Sequence, residues 1–233
     1  GAGTQLYSQA ATGTTTFGGD LIKNDSGDWV INRSMAPRTA TVNAGALGFA
    51  TGGSFGGGTA LSLAAGTLLH TDSGNAVVGN LTGVAGSKVA LTAGSSLRMA
   101  DNTSTTIASD FSGGGTLIKS GTGTLTLSGD NSGFGGSFTA NAGTLQAASA
   151  NAIGGAALGI GGAVTLTSPG ALALNAVGLN TSAGVGVLSV QTPPLPIDSR
   201  APAATSTGPA IAPLPMSVCL LYTSPSPRDK RQS

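Results

Sequence analysis

The chain has 233 residues, of which 39 are glycine, 39% are hydrophobic and only 8% are charged. Every acidic residue is aspartate, and since glutamate favours helices while aspartate favours turns, this composition argues against a helical domain. Disorder is disfavoured as well, because disordered chains combine low hydrophobicity with high net charge, whereas the formal net charge here is +1.

The first predicted strands lie in LIKNDSGDWVI (residues 21–31) and TVNAGAL (residues 41–47). Further strands are predicted at residues 89–92, 124–127 and 163–167, where apolar residues alternate with small or polar ones. A period of two, bounded by Gly, Asn and Asp, is typical of strands. We therefore predict an all-β fold, with strands near Ile22, Leu125, Phe138, Leu145, Val164 and Leu172.

Two of these segments occur twice in the chain. The segment at residues 21–31 returns without a gap as LIKSGTGTLTL at residues 117–127, and TVNAGAL returns as TANAGTL at residues 139–145. A chain that repeats one supersecondary unit is usually a solenoid, in which stacked units bury a common core. With roughly 20 to 28 residues in each repeat, about seven to nine coils fit before the prolines near the C-terminus.

The second copy carries a recognisable motif: Lys-x-Gly-x-Gly, then Leu-x-Leu-x-Gly, a Gly-Gly turn, and Asn-x-Gly-x-Leu. This motif resembles the autotransporter-associated β-strand repeat. The resemblance implies a right-handed parallel β-helix over residues 1–191 and a structural role for the motif positions. Those positions are Lys119, Gly121, Gly123, Leu125, Leu127, Gly129, Gly136, Asn141, Gly143 and Leu145. We predict that glycines of the motif serve turns, because residues other than glycine are strained at positive φ.

Candidate catalytic groups are few. His70 is the single histidine, and Asp72 would share its face of a strand, which is one element of a Ser–His–Asp triad. Because the nucleophile would have to come from many ordinary Ser and Thr residues, we interpret both residues as surface groups. Asp25, Asp28 and Asp130 lie in turn-like contexts rather than in a pair of converging carboxylates. The sequence therefore predicts no catalytic, cofactor or metal site, and no enzyme.

The composition changes near Gln191, since nine of the eleven prolines follow it. Proline removes a ladder donor, so we interpret residues 192–217 as a Pro/Ala-rich linker or the product of a frame error. Residues 218–233 end in CLLYTSPSPRDKRQS, which resembles the translation of a sequencing adapter and its index, and we interpret them as an artefact. We expect the chain from Leu220 onward to lie outside the β-helix, and the chain from Pro193 to be poorly ordered.

Without this tail, seven basic and eight acidic residues remain, a net charge of −1. No basic face then indicates nucleic acid, and no apolar run of eighteen residues indicates a membrane helix. The resemblance implies export through the outer membrane of a Gram-negative cell, with a translocator barrel in the full-length chain but absent here. We expect a non-catalytic stalk of a secreted or surface-displayed passenger that supports adhesion to an unknown surface or host ligand. The alternative is the β-helical portion of a passenger protease or carbohydrate-active enzyme whose catalytic domain lies elsewhere.

Overall fold

The computed structural model describes residues 4–7, 19–100, 102–168, 176–179, 187–191 and 218–221. Every regular element within these residues is a β-strand, and none of them forms a helix long and apolar enough to cross a membrane. The strands are short, mostly four residues each, and they form three sheets. All pairings between coils are parallel, so the chain folds as a parallel β-solenoid of about seven turns over residues 20–167. The predicted fold class is confirmed.

One sheet runs the full length of the solenoid, and we call it the long sheet. In order, its strands are β2 (Asp20–Lys23), β4 (Thr39–Val42), β6 (Ala60–Leu63), β9 (Asn80–Gly83), β12 (Thr105–Ile107), β15 (Thr124–Leu127), β17 (Gly143–Ala147), β19 (Ala163–Thr167), β21 (Val187–Gln191) and β22 (Val218–Leu221). Each coil of residues 20–167 contributes one strand to this sheet.

Two further sheets divide the length of the solenoid between them. The N-terminal sheet contains β1 (Thr4–Tyr7), β3 (Asp28–Ile31), β5 (Ala46–Phe49), β7 (Leu68–Thr71), β10 (Lys88–Leu91) and β13 (Asp110–Gly113). The C-terminal sheet contains β8 (Asn75–Val78), β11 (Ser96–Met99), β14 (Thr116–Lys119), β16 (Ser137–Ala140), β18 (Ala157–Ile160) and β20 (Ala176–Leu179). Within the residues that the structure describes, only the middle coils therefore carry a strand on all three faces.

The core consists of ladders of identical or similar side chains, one from each coil. Leu125 pairs in register with Leu145, which pairs with Leu166, and all three are at most 2% exposed. Since neighbouring strands lie about 4.8 Å apart, each inward residue contacts its counterparts one coil before and one coil after. Phe111 and Phe134 extend the core between coils, with ring centroids 6.1 Å apart. The alternation read from the sequence gives these inward positions correctly.

The end of the long sheet corrects one prediction. Residues 218–221, whose last two positions were expected to lie outside the β-helix, form β22, which pairs antiparallel with β21. A terminal strand presents unpaired N–H and C=O groups, and an extended apolar segment such as VCLL can satisfy them. The segment thus extends the sheet edge without forming a coil. The predictions for residues 192–217 and 222–233, and the strand predicted near Leu172, lie outside the described residues.

Candidate functional site

The repeat motif folds as a corner between two faces of the solenoid. Lys119 ends β14 of the C-terminal sheet, Gly121 and Gly123 form the bend, and Leu125 lies in β15 of the long sheet. The Lys119 side chain points inward and is fully buried, and its Nζ donates a hydrogen bond of 2.5 Å to the carbonyl oxygen of Gly121. A buried ammonium is tolerated only where acceptors replace its water, so the bent backbone supplies the environment that the lysine needs.

The earlier copy of the motif has the same arrangement. Lys23 is 1% exposed at the end of β2, and its Nζ donates to the carbonyl oxygens of Asp25 (2.7 Å) and Ala44 (3.0 Å) and to the Asp25 carboxylate (3.1 Å). Asp25 also accepts the backbone N–H of Gly27 at 2.9 Å. Burial opposes the ionisation of Asp25, but its bonds to Lys23 and Gly27 outweigh this and lower its pKa. The two lysines that align in sequence therefore have the same role: each is buried at the end of a strand and donates hydrogen bonds to the backbone of the bend that follows.

The Asn-x-Gly part of the motif stacks directly on this corner from the next coil. The backbone N–H of Asn141 donates to the carbonyl oxygen of Lys119 at 2.8 Å, and Asn43 bonds to Lys23 in the same way at the same distance. Gly143 has φ 77°, and a Cβ there would lie 2.5 Å from the carbonyl oxygens of Gly123 and Thr122. Both the positive φ and the lack of space require glycine.

Two other glycines of the motif have a different reason from the one predicted. Gly129 and Gly136 do not have positive φ angles, so backbone strain does not explain why these positions are glycine. A Cβ at Gly129 would lie 2.1 Å from the Ser109 carbonyl oxygen, and one at Gly136 would lie 2.0 Å from that of Gly115. Glycine is required there because the backbone of the preceding coil passes where a side chain would be.

The remaining motif positions form the core beneath the corner. Leu125, Leu127 and Leu145 point inward and are at most 1% exposed. Gly123 also has no room for a side chain, since a Cβ there would lie 2.1 Å from the Thr103 carbonyl oxygen. The motif thus combines a buried lysine, a bend and an inward leucine pair. A glycine turn of the next coil packs against the bend.

The two copies of the motif occupy different corners of the solenoid. The copy with Lys23 connects the long sheet to the N-terminal sheet, whereas the copy with Lys119 connects the C-terminal sheet to the long sheet. The same sequence therefore specifies a bend between neighbouring faces and not one particular face. Sequence periodicity alone could not reveal this, because it gives inward and outward positions without naming the sheet.

The structure places His70 on the outer face of β7, bonded to two carboxylates. Its Nδ1 lies 2.7 Å from Asp72 Oδ1, as the shared face predicts, and its Nε2 lies 3.1 Å from Asp28 Oδ1. A histidine base in a triad needs one ring nitrogen directed at a hydroxyl nucleophile, and here each nitrogen faces a carboxylate. The contact with Asp28 was missed, although its separation of 42 residues spans two coils and was a usable signal.

Of the other described aspartates, Asp20 forms an ion pair and Asp130 lies just before a turn. Asp20 accepts hydrogen bonds from Arg38 (Nη2 to Oδ2, 3.0 Å) and from Thr39, and the Arg38 bond is the main cause that lowers the pKa of Asp20. Asp130 accepts the backbone N–H of Ser132 at 3.1 Å, which chiefly lowers its pKa. Among the described residues, no group of three or more His, Cys, Asp or Glu side chains could hold a metal ion.

Comparison with known proteins assigns the motif. Residues 117–147 match the family model described as the passenger-associated-transport-repeat. This segment is a passenger-associated transport repeat of autotransporter passengers. The matched residues begin at the strand that ends in Lys119 and close at the end of β17, so the transport repeat coincides with the corner described above plus the coil that seals it. No curated protein and no solved structure matches the chain.

The transport repeat indicates the kind of protein to which the solenoid belongs. The solenoid is the β-helix repeat region of an autotransporter passenger, and such a repeat implies secretion across the outer membrane. The resemblance noted from the sequence is therefore confirmed at the level of the repeat and its fold. The structure adds the physical reason for several motif positions: Lys119 bonds to the backbone of the bend, and Gly123, Gly129, Gly136 and Gly143 leave room for the backbone of the preceding coil.

Proposed function

We propose that this solenoid is a non-catalytic stalk of an autotransporter passenger, displayed at or released from the cell surface, where it positions adhesive regions outside the solenoid. The observation that carries the proposal is the continuity of the stack. The long sheet runs unbroken from β2 to β19, and its inward ladder is filled by aliphatic side chains in nearly every coil. A narrow rod packed in this way has its rigidity along the axis, which is the property a spacer needs.

The outer face of the long sheet supports the same role. From β4 to β19 its outward residues in the described chain carry no charge, and most are hydroxyl residues. They include Thr39, Thr41, Ser62, Thr82, Thr106, Thr124, Thr126, Thr144, Thr165 and Thr167. Two pairs of these outward residues bond along the axis, Ser62 with Thr82 and Thr126 with Gln146, each at 3.0 Å. Side chains that satisfy one another between coils stabilise the rod and solvate it without forming a charged binding surface.

Replacing the solenoid tests this proposal. In the full passenger, residues 20–167 would be exchanged for an unrelated β-solenoid with the same number of coils, and both surface display and adhesion of the cells would be measured. A stalk acts through its length, so we expect display and adhesion to stay within about twofold of the wild type. A matched variant with half the number of coils should reduce adhesion while display is kept, because the flanking regions then lie closer to the membrane.

Two outcomes would contradict the stalk. Loss of adhesion with normal display, in the variant of equal length, would show that the solenoid surface itself binds the ligand. Loss of a hydrolytic activity of the passenger in the same variant would favour the enzyme hypothesis, with residues of this solenoid contributing to the catalytic site.

A further inference from the structure

The imidazole of His70 connects strands that lie two coils apart. Asp28 opens β3, His70 lies on β7, and Asp72 follows β7 directly. The ring contacts Asp28 through Nε2 at 3.1 Å and Asp72 through Nδ1 at 2.7 Å. The His70 side chain is 16% exposed, so the contact is partly shielded from water and from salt. One side chain therefore spans the coil that lies between β3 and β7.

That intermediate coil is shaped to let the ring pass. Gly48 of β5 pairs in register with His70, and a Cβ at Gly48 would lie 2.3 Å from the imidazole Cε1. Gly48 does not have a positive φ angle. The imidazole ring of His70, and not the backbone conformation, therefore explains why this position is glycine. The histidine, the glycine beneath it and the distant carboxylate form one arrangement, which we call the coil clamp (Asp28, Gly48, His70 and Asp72).

The chemistry of the ring determines when the clamp is complete. A neutral imidazole has one N–H donor and one lone pair, so it can donate to only one of two carboxylates while its lone pair faces the other. A protonated imidazole donates to both. On the strands packed against β7, the register neighbours of His70 are Gly48 and Ala90, which carry no charge, and the nearest cation on β10 is Lys88, which pairs with Leu68. Among the described residues, Asp28 and Asp72 are thus the charged groups bonded to the ring.

We propose that the coil clamp is a pH-dependent device that fastens the coils of β3, β5 and β7 together when His70 is protonated and loosens them when it is neutral. Desolvation opposes protonation of the imidazole, but hydrogen bonds to Asp28 and Asp72 outweigh it and raise the pKa of His70 above its ordinary value. When folding raises the pKa of a group, protonation of that group stabilises the folded state. The stabilisation is complete below the pKa of the group in the unfolded chain, about 6.5 for histidine. It is lost as the pH rises through the pKa of the group in the folded chain.

Proton NMR tests the clamp directly on the full chain. The sequence contains one histidine, so the imidazole Cε1–H signal needs no assignment by mutation. We expect a titration midpoint above about 6.5, and a lower midpoint in Asp28→Asn and in Asp72→Asn. A midpoint at or below about 6.5 in the wild type would overturn the proposal, as would a midpoint that neither substitution lowers.

Thermal unfolding between pH 5.5 and 7.5 supplies the second measurement. The wild type should lose about 2–4 °C more in Tm over this range than His70→Gln, which keeps a polar side chain but cannot titrate. Gly48→Ala should weaken the pH dependence in the same way, because the added methyl displaces the ring. Asp130→Asn is the matched control: its carboxyl has a lowered pKa, so its stabilisation is lost only in more acidic solution and the wild-type slope should persist. Parallel Tm curves for the wild type and His70→Gln would overturn the clamp.

Discussion

Replacing Gly143 with valine is expected to destabilise the solenoid by about 3–5 kcal/mol, among the largest effects available to a single substitution in this chain. A β-branched residue at φ 77° is strained by roughly 1–2 kcal/mol. Its Cβ would also lie 2.5 Å from two carbonyl oxygens of the preceding coil, so the corner must open to admit it. Thermal unfolding followed by circular dichroism measures the loss.

The matched control for this substitution lies in the same transport repeat. Gly135 has space around the position of its missing Cβ, with no atom within 4 Å, and it is not among the glycines at positive φ. Gly135→Val should therefore change the free energy of unfolding by no more than about 0.5 kcal/mol. If Gly143→Val and Gly135→Val unfolded at the same temperature, the packing of the Gly143 turn against the corner would not be a determinant of stability.

Removal of the buried lysine is expected to have the second large effect. Lys119→Ala deletes a fully buried side chain, leaves a cavity and removes the donor from the Gly121 carbonyl, at a total cost of about 3–5 kcal/mol. Lys119→Met fills most of the volume but donates no hydrogen bond. Because an unsatisfied buried carbonyl costs about 1–3 kcal/mol, we expect the methionine variant to lie between the alanine variant and the wild type.

The order of these variants separates packing from hydrogen bonding. A buried charge can sometimes be exchanged for an apolar side chain without loss, since the ammonium no longer has to be desolvated. If Lys119→Met were as stable as the wild type, the lysine would act through its volume alone, and the account of the corner would be wrong. Lys88, which is exposed on β10, serves as the control, and Lys88→Met should be nearly neutral.

The fold could be predicted from the sequence because its determinants are local. The alternation around Leu125 and Leu145 identifies inward positions, and the repeat spacing identifies stacking. What the sequence did not show is the environment of the charged residues. A lysine beside a glycine bend is typical of a surface, but Lys119 is the last residue of β14 and shares the inward face of that strand with Leu117, so it is part of the core.

The contacts of His70 and of the C-terminal segment illustrate the same limit at longer range. Asp28 reaches His70 only because Gly48 leaves the intermediate coil bare, a condition that concerns three coils together. Residues 218–221 pair with β21 through backbone groups, which any extended segment can use, so their composition gave no signal. Prediction succeeded for the inward positions of the strands and for the stacking of adjacent coils. It failed where non-adjacent segments meet.

Deletion of one whole coil is the most direct test of the central claim that equivalent coils stack in register to form a rod. Thr124 pairs with Thr144 and Ser137 pairs with Ala157, so removing residues 124–143 takes out one coil and leaves Gly123 followed by Thr144 in the same register. Circular dichroism should show a strand spectrum and a cooperative transition for this variant, whereas removing residues 124–133, half a coil, should abolish both. Equal loss of structure in the two deletions, or equal retention, would contradict the stacked-coil account.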